Sequence, residues 1–490
     1  MNLIANELRQ PPSDELQRYA AVPLCRGHRA HEPRRQGRAS QKIEQAVFKK
    51  IKTLRQQPLT MGTMVSDMQK VMQEDRQAVV ASLAARVRQA AKTGVPLRIR
   101  GGGSKDFYGQ SLKGEVLDMT GLAGVVAYEP SELVVTVLAG TPLAGLEALL
   151  AAQGQCLPFE PPHFGVGAAT FPQPLGGGSS YSGTAAGSAA TFPQPLGGGS
   201  SYSGTAAGSA ATVGGMVASG LSGPARASAG AVRDFVLGVK LINGRGEELT
   251  FGGQVMKNVA GYDVSRLMAG SMGTLGVITE VSLKVLPVAP LEATLRFDCS
   301  QAQALQWLHG WGGQPLPLNA SCWLHEEGQS TGTLYLRLRG AQAAVQAACD
   351  TLCQLPGATR ENAQQVSADW QACRNQQLPW FQARSETQDL WRLSVPQTAP
   401  VLDLPEPPLI EWHGGQRWVR AHASQGEHLR QVASDAGGHA TLFIATSADS
   451  ERATARFDAL KRPLARIHRN LKTQFDPAGI LNPHRMSMEY

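Results

Sequence analysis

Two stretches of this chain carry glycine in the density that lets a backbone close around an anion. The first is Arg100-Gly101-Gly102-Gly103-Ser104, after the apolar run at 95–99; the second runs from Ala211 through Gly214, Gly215, Ser219 and Gly220 to Gly223. Glycine lacks a Cβ and accepts positive φ, so such turns bring successive N–H groups within hydrogen-bond reach of a phosphate. Neither stretch has the G-x-G-x-x-G spacing of a Rossmann turn or a Walker lysine, so the pair points to a different nucleotide fold. Other chemistry-bearing residues are sparse. His309, His325, His413, His422, His428 and His439 are spread without metal-ligand spacing, and they read as surface or structural histidines. The seven cysteines include no Cys-x2-Cys-x2-Cys run, which argues against an iron–sulfur cluster in this chain. Cys349 and Cys353 are four apart and read as two small core residues of one helix face.

The elements that must position these turns are mixed. Residues 76–93 read as a helix with Val79, Val80, Leu83 and Val87 on one face and Gly94 as its stop. Strand-like runs follow at 95–99, 116–119, 125–128 and 133–138, then a helix at 142–152. Further strands read at 235–242, 248–251 and 277–286. Beyond residue 290 come all eight tryptophans, helical stretches such as 341–355, and strand alternation at 332–338 and 416–422. The reading is α+β, with a basic extension at 1–75, a nucleotide-binding domain at 76–289 and a smaller α+β cap at 290–490.

Charge separates the extension from the rest. Residues 1–60 hold 12 of the 46 Lys/Arg and 5 of the 39 Asp/Glu, so the remaining chain is neutral at 34 of each. A neutral body argues against nucleic-acid binding by the folded domains. Ile43, Val47, Phe48, Ile51 and Leu54 recur at helical spacing among lysines, the pattern of a basic amphipathic helix; otherwise 1–60 reads as a disordered, dispensable extension. No apolar run of about 18 residues occurs, and the expected location is cytoplasmic, with peripheral membrane attachment through a complex. Residues 168–188 and 189–209 are identical copies of AATFPQPLGGGSSYSGTAAGS. A Gly/Ser/Ala-rich unit with so little to bury reads as a duplicated flexible loop, not a solenoid.

Taken together, several motifs make the sequence recognisable. Arg100–Ser104, Leu117-Asp118-Met119, Glu129-Pro130, residues 136–141 and 211–220, Val232-Arg233-Asp234, residues 241–246, 256–263 and 270–279 resemble the FAD domain of the vanillyl-alcohol oxidase (PCMH-type) superfamily. With residues 159–164, Ile410-Glu411-Trp412 and the closing 475–483 segment, they resemble the smaller FAD-binding subunit of bacterial glycolate oxidase. The resemblance implies that Gly101, Gly102, Gly103 and Ser104 hold the pyrophosphate of FAD from one side. It implies that Gly214, Gly215, Ser219 and Gly223 hold it and the ribityl chain from the other. Val277 and Ile278 would approach the adenine, and Gly261 and Tyr262 the flavin. Ser104 stands where members with covalent flavin carry His, so non-covalent FAD is expected. The duplicated loop and His484, in place of a usual glycine, depart from the pattern.

Oxidising a 2-hydroxyacid needs a cation for the carboxylate, a base for the hydroxyl proton and a hydride acceptor. Arg384 and Arg392 read as carboxylate binders or as surface ion pairs, and Tyr262 as a substrate-orienting or a core residue; no convincing base stands out. The resemblance therefore implies a subunit of a complex that oxidises glycolate to glyoxylate. A sister FAD-binding subunit would do the hydride chemistry and a separate iron–sulfur subunit would take the electrons. A stand-alone D-lactate-type dehydrogenase and a non-catalytic assembly subunit remain the alternatives.

Overall fold

The computed structural model describes residues 61–164, 211–253, 262–325, 329–446 and 455–487, with backbone alone for 61–69 and 72. The basic arm before residue 61, the repeat at 168–209 and Gly261 lie outside the described residues. Two compact units are distinguished, Met1–Met72 and Gln73–Tyr490. Of the first, the described part is the start of helix α1 (Met61–Thr93). This helix begins fifteen residues before the apolar pattern does, because periodicity marks only the buried stretch. Within the second unit α1 buries Leu83, Ala84, Val87 and Ala90, and Gly94 ends it at φ 70°.

The chain then forms β1 (Leu97–Arg100) and β2 (Glu115–Asp118), which pair in parallel. Next come β3 (Val125–Glu129), β4 (Val134–Leu138) and α2 (Leu143–Ala151). After the undescribed segment follow α3 (Val213–Ser219), β5 (Val236–Ile242), β6 (Glu248–Gly252) and β7 (Val277–Lys284). Strands β3-β4-β7-β5-β6 make an antiparallel five-stranded sheet. Its alternation turns Val135, Val137, Val239, Leu241, Val281 and Leu283 toward a core shared with Leu143, Leu146 and Leu150 of α2 and Val213, Met216 and Val217 of α3. β4 is buried on both faces: four of its five residues are apolar, and Thr136 bonds Ser282 Oγ at 2.8 Å.

Beyond the short pair Gln155–Cys156 and Leu286–Pro287, the strands are β8 (Leu291–Cys299), β9 (Leu318–Leu324), β10 (Gly332–Gly340), β11 (Ala358–Arg360), β12 (Gln388–Ser394), β13 (Leu409–Glu411), β14 (Gln416–His422) and β15 (His439–Ile444). They form one antiparallel sheet in the order β11-β8-β10-β9-β13-β14-β12-β15. Helices α4 (Gln301–Gly312) and α5 (Gln342–Leu352) cover Leu295, Phe297, Leu334, Leu336 and Leu338 on one face. The opposite face presents Cys322, Leu324, Leu390, Trp418 and Phe443 to α6 (Ala363–Arg374) and to Tyr108, Phe164, Leu221 and Met272 of the other sheet's region. Helices α7 (Gly426–Asp435) and α8 (Arg462–Phe475) complete the described chain. The α+β expectation holds. Cys349 is a core residue of α5, but Cys353 is exposed, because it caps the helix end and has turned off the buried face.

Candidate functional site

β1 delivers the first glycine turn. Arg98 and Arg100 both hold Asp106, at 3.1 and 2.8 Å, and this pins the turn from behind. Gly103 sits at φ 79°, with the Arg100 guanidinium where a side chain would stand. The N–H groups of Gly101, Gly102, Gly103 and Ser104 donate to no described residue. Backbone donors left over at a cleft are rare in folded chains, and a row of four suits an anion with several oxygens.

The second turn meets the first directly. A Cβ on Gly101 would overlap Thr212 Oγ1, so the two glycine stretches touch across more than a hundred residues of sequence. Thr212 caps α3 by accepting from Gly215 N–H at 3.3 Å. Gly214 donates its N–H to Ala139 O at 2.7 Å, and a Cβ there would lie 2.7 Å from Ala139 Cβ. Gly214 is therefore glycine for close packing of α3 on β4, not for its donor.

A third wall comes from 272–278. Met272 and Gly273 both adopt positive φ. They are tied down by the closing segment: Asn482 Nδ2 donates to Met272 O at 2.6 Å while its Oδ1 accepts from Ile99 N–H at 2.8 Å. Lys472 is buried, and its Nζ donates to Thr274 O, Leu481 O and Asp476 Oδ2 at 2.9, 2.7 and 2.7 Å. Arg485 donates to the carbonyls of Lys105, Asp106 and Gln110, and burial pushes its pKa down to about 10.

Gly101, Gly102, Gly103, Ser104, Gly214, Gly215, Ser219 and Ile278 thus line one cleft, together with Thr212, Met272, Asn482 and Arg485. Gly223 does not line it: it packs on the Glu160 backbone and donates its N–H to Phe159 O at 2.9 Å. Val277 turns its side chain into the core beneath α1, as strand alternation demands. Tyr262 is 97% exposed and lines no part of the cleft. Sequence reasoning passed over Lys105, although it follows Ser104 directly. Its ammonium lies 3.3 Å from Ser104 Oγ and 5.7 Å from the Phe164 ring centre, and it pairs with no described carboxylate. Burial first, and Arg374 second, push its pKa down to about 8. This cation, the free N–H row and the missing Cβ atoms fit the diphosphate of a dinucleotide.

Across the cleft, Tyr108 joins the two sheets' regions. Its ring packs on Phe443 at 5.2 Å, and Phe443 on Trp418 at 4.9 Å. Arg392 on β12 donates to Tyr108 Oη at 3.2 Å and has its guanidinium 5.7 Å from both the Tyr108 and Phe443 rings; no described carboxylate pairs with it. Arg226 stacks on Trp412 at 4.3 Å, and its pKa is lowered by burial and then by Arg392. Arg384 is elsewhere, donating to Gln388 O at 2.6 Å in the turn before β12.

Two motifs fasten the eight-stranded sheet to this region. Arg337 of β10 grips Glu160 through both carboxylate oxygens at 2.7 Å, and Arg339 adds a contact at 3.1 Å. Burial alone would raise the Glu160 pKa, but the two arginines overcome it and hold it below the usual range. Trp412 donates to Gly223 O at 3.0 Å. The neighbouring His413 is held between Ser321 and Ser228, at 3.1 and 3.0 Å, and burial pushes its pKa down to about 4.

A family model described as an FAD binding domain matches residues 77–190. Glycolate oxidase subunit GlcE of Escherichia coli (strain K12) is 40% identical over 409 residues, which is 83% of this chain and 97% of that protein. The chain belongs to the GlcE family. Glycolate oxidase subunit GlcD of Bacillus subtilis (strain 168) is 38% identical over 82 residues, 17% of each chain. Among solved structures, 4-ethylphenol oxidase from Gulosibacter chungangensis superposes with a TM-score of 0.53 at 14% identity, covering 84% of this chain and 88% of that one. That likeness carries the fold, which is the α+β flavoprotein fold the motifs resemble. The chain is an FAD-linked oxidoreductase subunit.

Proposed function

We propose that this chain is the FAD-containing subunit of a multi-subunit glycolate oxidase, oxidising glycolate to glyoxylate together with a sister flavin subunit and an iron–sulfur subunit. The observation that carries the reading is the cleft itself. Four unclaimed N–H groups, an unpaired lysine and two interlocked glycine turns stand in a chain alignable along nearly the whole of GlcE. Residues 101–105 would hold the diphosphate, with Gly214 and Gly215 letting α3 approach it and Ile278 flooring the cleft. With serine rather than histidine at residue 104, FAD is held without a covalent bond. Bound FAD supplies the hydride-accepting ring system. The protein's own part would be to line the site with Tyr108 and to keep water away with the Phe107, Phe164 and Phe443 cluster. Arg392, unpaired beside Tyr108, is the cation for a carboxylate.

No described carboxylate pairs with Arg392, and no hydrogen bond joins a described histidine to it. His439, the nearest in charge terms, feels Arg392 and Arg226 and is lowered chiefly by burial. The reading therefore assigns the proton-abstracting step to the sister subunit. The test is the visible spectrum of the purified chain before and after anaerobic glycolate. Flavin bands that persist until the partner subunits are added support it. Bleaching of the isolated chain makes it a stand-alone dehydrogenase, and a colourless folded chain removes the FAD assignment.

A further inference from the structure

Along α8 and the turn before it, Leu460, Leu464, Ile467, Leu471 and Phe475 recur at helical spacing and form one apolar stripe. Its lower end is seated, with Leu471 and Phe475 packed on the five-stranded sheet's core and Lys472 buried beside them. Its upper end is not. Leu460, Leu464 and Ile467 are 39, 49 and 53% exposed, three of the nine exposed large apolar side chains of the described residues. The stripe continues past the edge of the core without changing character, so its sequence is written for a surface that the described residues do not provide.

The flanks say what kind of surface. Lys461, Arg462, Arg466, His468 and Arg469 surround the exposed half, and no Asp or Glu occurs from 459 to 475. Lys461, Arg462, Arg466 and Arg469 make no ion pair with any described residue. Asp458, the nearest acid in sequence, is engaged by Arg430 and by Ala440 N–H. Acid-free basic flanks around an apolar stripe complement a groove that is apolar within and rimmed by carboxylates. The chain's own basic segment at 42–54 is a poor occupant, since its lysines would face these arginines. A lipid surface is a poorer match too: the exposed half holds only three large apolar residues and no aromatic ring, where interfacial helices carry a wide apolar face with Trp or Phe.

We infer that the exposed half of α8 is a docking surface for another subunit of the complex, one presenting an acidic-rimmed apolar groove that receives Leu460, Leu464 and Ile467. This rests on the reading of the chain as a complex subunit. The experiment mixes the purified, flavin-loaded chain with the sister flavin subunit and the iron–sulfur subunit of the same organism and measures assembly by analytical ultracentrifugation. Leu464→Glu/Ile467→Glu changes only exposed positions, so flavin absorbance and melting temperature should match the unmodified chain while association weakens on the order of a hundredfold. Arg466→Glu/Arg469→Glu should weaken it about tenfold and flatten its salt dependence. Equal assembly by the Leu464/Ile467 variant and the unmodified chain overturns the inference. So does a variant that assembles normally but no longer binds vesicles containing phosphatidylglycerol, which would make the face a lipid contact. An unmodified chain that assembles with neither subunit removes the complex reading itself, and the inference falls with it.

Discussion

The cofactor cleft and the joint beneath the eight-stranded sheet are built from opposite materials. Around residues 101–105 the chain shows bare backbone, with N–H groups that no described residue claims and a lysine without a counter-charge. Around Glu160 and Glu411 the material is side chain, and almost every polar atom is claimed. Glu160 has two arginines and Ala225 N–H; Glu411 accepts from Trp418, Gln416 and Cys373 at 2.5, 2.9 and 3.3 Å. An unpaired polar group costs stability, so the first region makes sense only with a ligand in place, whereas in the second both carboxylates are engaged by the protein's own donors. The contrast teaches where to look for binding and where to look for rigidity.

The contrast is broken most forcefully at Gly101. Gly101→Val would drive a side chain into Thr212 and separate the two glycine turns, and FAD affinity should fall at least about a hundredfold. Flavin fluorescence titration of the apoprotein would read this directly. On the other side, Glu160→Gln leaves Arg337, only 3% exposed, without its anion. Removing one partner of a buried pair costs about 3–5 kcal/mol, so urea unfolding should show a loss of that size. A loss below about 1 kcal/mol would mean the joint is less tightly claimed than its geometry.

His413 sharpens the comparison through pH. Its folded pKa, about 4, lies below the ordinary 6.5, so the unfolded chain binds the proton first. The stabilisation from keeping it neutral is complete above pH 6.5 and is lost as pH falls toward 4, by up to about 3 kcal/mol. His413→Asn, which tolerates the positive φ at this residue, should remove that part of the acid sensitivity in unfolding curves at pH 7 and 4.5. The smallest effect is expected at Lys105. Lys105→Met should weaken FAD binding about tenfold at pH 7. Because the ammonium loses its proton as pH rises through about 8, the unmodified chain and the variant should converge above that pH.

Much of the fold was legible because its strands and helices have regular periods. β14 was read with its bounds intact, and β4, β5 and α2 to within a residue or two. The glycine turns were legible as a pair because nothing but close backbone approach explains Gly101 and Gly214. What stayed hidden depends on contacts between residues far apart in the sequence. Lys105 looks like any surface lysine until Phe164 and Arg374 are brought beside it. Arg485 gives no signal at all, since its partners are carbonyl oxygens. Glu160 and Trp412 were legible as family motifs, but their work as fasteners appears only once β10 and the Gly223 turn meet them. Tyr262, attractive by residue type, stands in solvent.

The bond between Ile99 and Asn482 spans 383 residues of sequence, and Leu97 is bridged in parallel to Leu481. Synthesis runs from the N-terminus at about 5–20 residues per second, so the strand that carries the first glycine turn waits tens of seconds for the residues that brace it. During that interval the nascent chain has a phosphate turn whose third wall is not yet tied down. Cofactor capture must then follow release from the ribosome, and fragments lacking the segment around Asp476, Asn482 and Arg485 should emerge colourless however completely their flavin-binding motifs are preserved.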